Sequence, residues 1–147
     1  MSATALICLV IAVSDGDTLS VRCGARRPER VRIAAIDAPE SRQAFGKQAR
    51  EQLVRLCFRQ RAELYTLARD MYGRRVARVR CAGRDVAQAQ VGAGLAWVYT
   101  RQTAKYRELT ALQQRAQAAR LGLWSQKRPL APWEYRRRHP IKAGNGR

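Results

Sequence analysis

The chain has 147 residues, 46% hydrophobic and 27% charged, which suits one domain with its own core and excludes a chain that is disordered throughout. Lysine and arginine number 29 against 11 acidic residues, giving a formal net charge of +18. Such an excess attracts polyanions, so we expect a nucleic-acid partner, with a cationic surface kept for solubility as the alternative.

An apolar run, Ala3–Val13, opens the chain and has about the length of a signal-peptide core. It lacks a positively charged segment before it and a cleavage-like site after it. It is also too short to cross a bilayer. We therefore predict a buried strand at Leu6–Val13, no intact signal peptide and no membrane span.

The next segments predict a three-stranded meander. Asp15-Gly16 lies between apolar runs and is a strong hairpin signal. The second and third strands are predicted at Thr18–Cys23 and Arg30–Ile36. A loop of Asp15 and Gly16 would place Cys8 directly opposite Cys23.

The four cysteines leave two interpretations open. None has CxxC spacing and the chain has one histidine, so a zinc site is poorly supplied. Cys8 and Cys23 either form a disulfide or are two small buried side chains. If they are bonded, a Cys57–Cys81 bridge follows by elimination. Two bridges would favour a periplasmic or secreted location.

The rest of the chain adds two strands and three helices. A helical period covers Gln43–Phe58, and the later elements are predicted at 62–66 (strand), 75–81 (strand), 85–92 (helix, with Asp85 as N-cap) and 105–120 (helix). This order predicts an α+β fold, a five-stranded closed barrel of the oligonucleotide-binding type with three α-helices. We assign residues 1–135 to this domain, with an irregular segment at Pro129–Glu134, and residues 136–147 to a flexible basic tail.

Acidic residues stand where two adjacent strands end. Asp17 follows the hairpin turn, and Asp37 precedes Pro39, which favours an extended chain and then a turn. If the barrel brings these ends together, the carboxylates of Asp17 and Asp37 and the carbonyl of Ala38 supply oxygen ligands of the kind that Ca²⁺ or Mg²⁺ prefers. Asp15 is close enough in sequence to contact the ion through a water or to support its ligands.

Three further side chains fit phosphodiester hydrolysis. Glu40 is a carboxylate placed to orient or deprotonate a water, and Arg32 and Arg74 are candidate forks for phosphate oxygens. Ordinary turn chemistry explains the acids equally well, and spacing alone favours a nucleic-acid binder over a nuclease. The proposal also needs a break in the third strand, because Arg32 and Asp37 are five positions apart and would otherwise point to opposite faces.

Three blocks of the sequence resemble the signature blocks of the staphylococcal nuclease (thermonuclease) family, in the same order and with similar spacing: Val13–Thr18, Arg32–Glu40 and Asp70–Arg74. Later blocks that also resemble the family are Gly94–Tyr99, Gly122–Trp124 and Pro132–Glu134. The resemblance covers about residues 6–137.

The resemblance implies Ca²⁺-dependent hydrolysis of DNA and RNA that leaves 3′-phosphates. By position, Asp17, Asp37 and the carbonyl of Ala38 match the metal ligands. Glu40 matches the general base, and Arg32 and Arg74 match the arginines that bind the phosphate.

Tyr99 falls in the block that supplies nucleotide-contacting tyrosines in the family, and we expect Tyr99 and Tyr72 to bind substrate. We expect single strands to be preferred and the protein to be a monomer. Two departures from the staphylococcal enzyme are Ala38 in place of its threonine and the presence of cysteines.

Some family members only bind nucleic acid, so a noncatalytic binding module is the alternative, although all five key side chains are present here. A cationic protein of anionic membrane surfaces is disfavoured, because no basic amphipathic helix has an apolar face to spare.

Overall fold

The computed structural model describes residues 4–99, 101 and 103–140. The strands are β1 (Leu6–Asp15), β2 (Thr18–Arg22), β3 (Glu29–Ile33), β4 (Ile36–Asp37), β5 (Arg61–Arg69), β6 (Arg75–Cys81), β7 (Arg84–Asp85) and β8 (Trp97–Val98). The helices are α1 (Gly46–Cys57), α2 (Val86–Gly92), α3 (Arg107–Ala118) and α4 (Pro132–Arg138), with a 3₁₀ helix at Gly122–Ser125. Within the described residues, no helix combines the length and apolar character needed to cross a membrane.

Five strands, β1, β2, β3, β5 and β6, close into a mixed barrel. The sheet order is β3-β2-β1-β5-β6-β7, and a parallel pairing of β3 with β6 joins the two sides. Alternating side chains of these strands point inward, among them Leu19, Val31, Leu64 and Val79, and Leu53 of α1 packs on the same core. The predicted α+β barrel is confirmed, with one more helix than the three expected.

The first hairpin turns one residue later than predicted. Asp15 pairs with Thr18, so the loop consists of Gly16 and Asp17 rather than Asp15 and Gly16. Two register irregularities in β1 then add residues to that strand relative to β2. The pairing further from the turn therefore returns to the register that the sequence predicted.

Of the two interpretations of the cysteines, the disulfide interpretation is confirmed for both pairs. Cys8 is bonded to Cys23, with their Cα atoms 4.3 Å apart across the hairpin. Cys57 at the end of α1 is bonded to Cys81 at the end of β6, with a Cα separation of 5.4 Å. One bridge therefore fastens two strands to each other, and the other fastens α1 to the barrel.

The predicted third strand is divided in two. β3 ends at Ile33, Ala35 adopts a left-handed conformation with φ of 73°, and β4 begins at Ile36. β4 leaves the barrel and pairs with β8 instead. This is the break that the spacing of Arg32 and Asp37 requires.

The C-terminal prediction needs correction. The segment expected to be irregular, Pro129–Glu134, is irregular only up to Ala131, and its last three residues join the first residues of the expected flexible tail in α4, which continues through Arg138. Pro132 occupies the first turn, Glu134 is the acidic residue of that turn and arginines fill the last turn, each of which favours a helix in this direction. Residues 141–147 of the predicted tail lie outside the described residues.

We expect removal of the second disulfide to cost substantial stability. The variant C57A/C81A should lose about 2–4 kcal/mol in free energy of unfolding, because the bridge closes a loop of sequence separation 24 in the unfolded chain. Urea denaturation of the oxidised proteins measures the loss. An unchanged midpoint, or four titratable thiols in the unfolded oxidised wild type, would contradict the pairing.

Candidate active site

Two buried carboxylates share one guanidinium at the end of the barrel. Asp17 lies in the first hairpin loop and is 5% exposed, and Asp37 lies in β4 and is 1% exposed. Arg32 of β3 reaches both, with Nη1 3.4 Å from Oδ2 of Asp17 and Nη2 3.4 Å from Oδ1 of Asp37. The strand ends therefore meet as the sequence predicted.

A buried glutamine fixes the loop that carries Asp17. Nε2 of Gln90 donates hydrogen bonds to the carbonyls of Gly16, at 2.7 Å, and Ala49, at 2.9 Å. Gly16 is also held close, since a Cβ there would lie 2.6 Å from Cβ of Ala49 and 2.8 Å from Cβ of Ala38. Only glycine permits this approach of the loop to α1 and to the residue after Asp37.

Hydrogen bonds orient the Asp17 carboxylate within this loop. Its Oδ2 accepts from the main-chain N–H of Ala38 at 2.7 Å, and its Oδ1 accepts from the hydroxyl of Thr18 at 3.0 Å. The first of these bonds ties the hairpin loop directly to the segment that carries Asp37. The two carboxylates are thus fixed relative to each other by main-chain contacts and not by Arg32 alone.

Burial acts on the pKa of all three aspartates, and the neighbouring charges and hydrogen bonds decide the direction of each shift. Burial, strengthened by the Asp17 carboxylate, raises the pKa of Asp15 to about 7. Burial also opposes ionisation of Asp17, but the Arg32 guanidinium and the hydrogen bonds hold its pKa below the ordinary value. Burial raises the pKa of Asp37 despite hydrogen bonds from Arg136. Positive charge at this position is therefore strongly favourable.

Glu40 lies in a tight turn against the start of α1. Its N–H donates to Oε1 of Gln43 at 3.1 Å, and its carbonyl accepts from the N–H of Gln43 at 2.8 Å. Gly46 permits the turn to approach, because a Cβ there would lie 2.0 Å from the Glu40 carbonyl oxygen. The position of Glu40 thus depends on a glycine that the sequence did not single out.

Arg136 is the site residue that the sequence analysis missed. From α4, its Nη2 lies 2.7 Å from Oδ2 of Asp37, and its Nη1 lies 2.7 Å from Oε1 of Glu40. These hydrogen bonds raise its pKa. The signal was available in the proline and glutamate that begin α4, which place Arg136 in the helix and not in a tail.

An aromatic cluster joins α4 to the strand pair next to Asp37. Trp97 is opposite Asp37 in the β4–β8 pairing, and its ring centroid lies 5.5 Å from that of Trp133 in α4. Tyr99 contacts Trp133 from the other side at 5.6 Å, and its N–H donates to the carbonyl of Ala35. Tyr99 is therefore near the predicted site, packed edge to face on α4.

Arg74 and Tyr72 belong to the turn between β5 and β6. Nε of Arg74 lies 2.7 Å from Oδ2 of Asp70, and its guanidinium lies 5.6 Å from the centre of the Tyr72 ring, which is 77% exposed. The next residue, Arg75, is opposite Val31, so the turn adjoins the strand that carries Arg32. Among the residues that the structure describes, Arg74 contacts its own turn and is not joined to the acidic cluster.

The residues present fit a hard divalent cation. In the described part of the chain, no group of three or more histidine, cysteine or acidic side chains is arranged to hold a metal. Asp17 and Asp37, however, are both within reach of one cationic group, Arg32, and the Ala38 carbonyl follows directly. Two carboxylates, a carbonyl and waters are the all-oxygen donors that Ca²⁺ takes.

Comparison with known proteins gives a consistent result. A family model described as "Staphylococcal nuclease homologue" matches residues 30–126. A micrococcal nuclease of Shigella flexneri is 37% identical over 139 residues, covering 87% of this chain and 79% of that protein. An uncharacterised endonuclease of Haemophilus influenzae is 35% identical over 134 residues, covering 91% of this chain and 75% of that protein.

A plant relative is longer. An uncharacterised 38.1 kDa protein of Capnoides sempervirens is 38% identical over 111 residues, which cover 76% of this chain but 32% of that protein. The similarity there is confined to one part of the larger protein.

We expect Gly46→Ala to destabilise the Glu40 turn. The added methyl group has to displace the Glu40 carbonyl, which should cost about 1–3 kcal/mol in free energy of unfolding. Gly92→Ala is the matched control, because its Cβ would meet nothing nearer than Leu112 at 4.0 Å. Urea denaturation compares the two, and equal stabilities would show that the turn does not need Gly46.

Proposed function

This chain belongs to the staphylococcal nuclease family, and we propose that it is a Ca²⁺-dependent nuclease that hydrolyses DNA and RNA and leaves 3′-phosphates. The observation that carries the proposal is the pair of buried carboxylates, Asp17 and Asp37, bridged by Arg32. Burial of two carboxylates costs free energy unless positive charge lies beside them. A bound cation would supply that charge, which supports a cation-dependent reaction at this site.

Asp17, Asp37 and the carbonyl of Ala38 would hold the Ca²⁺, with Asp15 acting through a water. The bound ion supplies positive charge to the phosphate oxygens and polarises the phosphorus centre. Gln90 and Gly16 serve this site indirectly, by fixing the loop on which Asp17 stands.

The remaining chemistry falls to three side chains. Glu40 accepts a proton from the attacking water, whose oxygen forms a bond to phosphorus as the bond from phosphorus to the 5′-oxygen breaks. Arg32 and Arg74 bind the non-bridging oxygens, where negative charge accumulates in the transition state. The leaving 5′-oxygen takes up a proton, and the phosphate remains on the 3′-oxygen of the other fragment.

The substrate is proposed to be an unpaired strand bound by charge and stacking. A net charge of +18 favours polyanions without regard to base sequence. The exposed ring of Tyr72, and Tyr99 beside Trp133, are the aromatic surfaces proposed to contact bases. Two disulfides support a periplasmic or secreted location, and we propose that the protein acts as a monomer.

Incubation with labelled single-stranded DNA or RNA tests the proposed activity. We expect cleavage with Ca²⁺, no cleavage after chelation, and recovery when Ca²⁺ is restored. End-group analysis should find 3′-phosphates. Steeply salt-dependent binding without hydrolysis in any divalent ion would instead favour a noncatalytic nucleic-acid-binding module.

Glu40→Gln tests the assignment of the base. It should lower kcat by about 10²–10⁴-fold and change substrate binding little, since the amide keeps the shape but cannot accept the proton. Glu51→Gln is the control, because Glu51 lies on α1 and its carboxylate makes a long, exposed ion pair with Lys47 at 3.9 Å. A kcat of Glu40→Gln equal to that of the control would remove Glu40 from the mechanism.

A further inference from the structure

We propose that Arg136 competes with the divalent cation for Asp37, so that α4 keeps the site neutralised until the metal enters. The inference rests on the proposed Ca²⁺ site but concerns a residue to which that proposal gives no role. In the absence of the ion, the guanidinium of Arg136, which lies in α4, supplies the positive charge beside Asp37.

The contacts at Asp37 carry the inference. Its Oδ2 lies 2.7 Å from Nη2 of Arg136, and its Oδ1 lies 3.2 Å from Nη1 of Arg136 and 3.4 Å from Nη2 of Arg32. Both oxygens therefore face guanidinium groups, and the side chain is nearly inaccessible to solvent. A divalent ion that binds Asp37 must therefore compete with the guanidinium groups of Arg32 and Arg136 for its two oxygens.

Of the two arginines that contact Asp37, Arg136 is the one that a cation can displace more easily. Arg32 is held within the barrel strand β3, and its Nη1 also donates to the carbonyl of Ile33 at 2.9 Å. The Arg136 side chain is 45% exposed and reaches the site from outside the barrel. Displacement of Arg136 moves a partly exposed guanidinium into water, whereas Arg32 would also lose its hydrogen bond to Ile33 and its ion pair with Asp17.

The structure places Arg136 at the site through specific packing of α4. Trp133 lies against Trp97 and Tyr99, and the side chain of Gln43 donates a hydrogen bond to the carbonyl of Leu130 just before the helix. The neighbouring arginines, Arg137 and Arg138, instead pair with Glu134 on the same helix. The contact with Asp37 is thus a property of one position and not of a cationic surface in general.

Competition at Asp37 also couples metal binding to Glu40. Nη1 of Arg136 holds Oε1 of Glu40 at 2.7 Å while the same guanidinium holds Asp37. When the guanidinium leaves Asp37, it no longer bridges the carboxylates of Asp37 and Glu40. Metal entry and release of Glu40 for its proposed work would then be one event.

Calorimetric titration of Ca²⁺ into metal-free protein, without nucleic acid, tests the competition. Arg136→Gln should bind Ca²⁺ about tenfold more tightly than wild type, as expected for loss of one partly exposed charged contact. Arg137→Gln removes the same charge from a residue that pairs with Glu134, and its affinity should equal that of wild type within about twofold. Equal or weaker binding by Arg136→Gln than by the control would overturn the proposal.

Two further measurements keep the result unambiguous. Arg136→Lys retains the charge but not the fork, so it should fold and show a smaller gain in affinity in the same direction. Trp133 reports on α4, and Ca²⁺ should change the tryptophan emission of wild type more than that of Arg136→Gln. Identical emission changes would count against displacement of the helix contact.

Failure of the competition is distinguishable from failure of the proposed function. Ca²⁺-dependent cleavage by wild type together with equal affinities in all variants would overturn only the role of Arg136. Absence of both Ca²⁺ binding and cleavage in wild type would overturn the proposed metal site and this inference with it.

Discussion

The burial of Asp17 and Asp37 side by side is the constraint on which the rest of this molecule depends. Neither carboxylate can stay ionised there without positive charge nearby, and Arg32 and Arg136 supply it from two directions. The barrel delivers the pair by closing β3 on β6, and the break after Ile33 turns Asp37 towards Asp17. The fold thus concentrates negative charge in one place within a strongly cationic protein.

The supports of this pair are mostly uncharged. Gln90 fixes the hairpin loop from α2, and Gly16 and Gly46 allow two turns to approach α1 more closely than any other residue would permit. The disulfide between Cys57 and Cys81 holds the far end of the same helix to the barrel. α1 therefore acts as the common backing for the loops that carry Asp17 and Glu40.

The sequence predicted the barrel, because strand periodicity and turn residues act locally. It offered the two disulfides as one of two interpretations of the cysteines, and it made the meeting of Asp17 with Asp37 a condition on how the barrel closes. It placed the first turn one residue early, since the two irregularities in β1 that shift the register leave no local signal. It missed the role of Arg136, because a run of arginines looks like a solvated tail until Trp133 packs against Trp97 and Tyr99. The general lesson is that a contact across 99 positions of chain, as between Arg136 and Asp37, is decided by packing and not by motif.

If the paired carboxylates Asp17 and Asp37 form a cation site, Ca²⁺ binding should stabilise the folded protein, and thermal unfolding with and without Ca²⁺ measures this effect. Ligand that binds only the folded state raises its stability, so Ca²⁺ should raise the Tm of wild type. The rise in Tm that Ca²⁺ causes should be much smaller for Asp37→Asn than for wild type. The comparison uses this rise and does not depend on the Tm of the variant without Ca²⁺. An equal Ca²⁺-induced rise in both proteins, or none in wild type, would contradict the account.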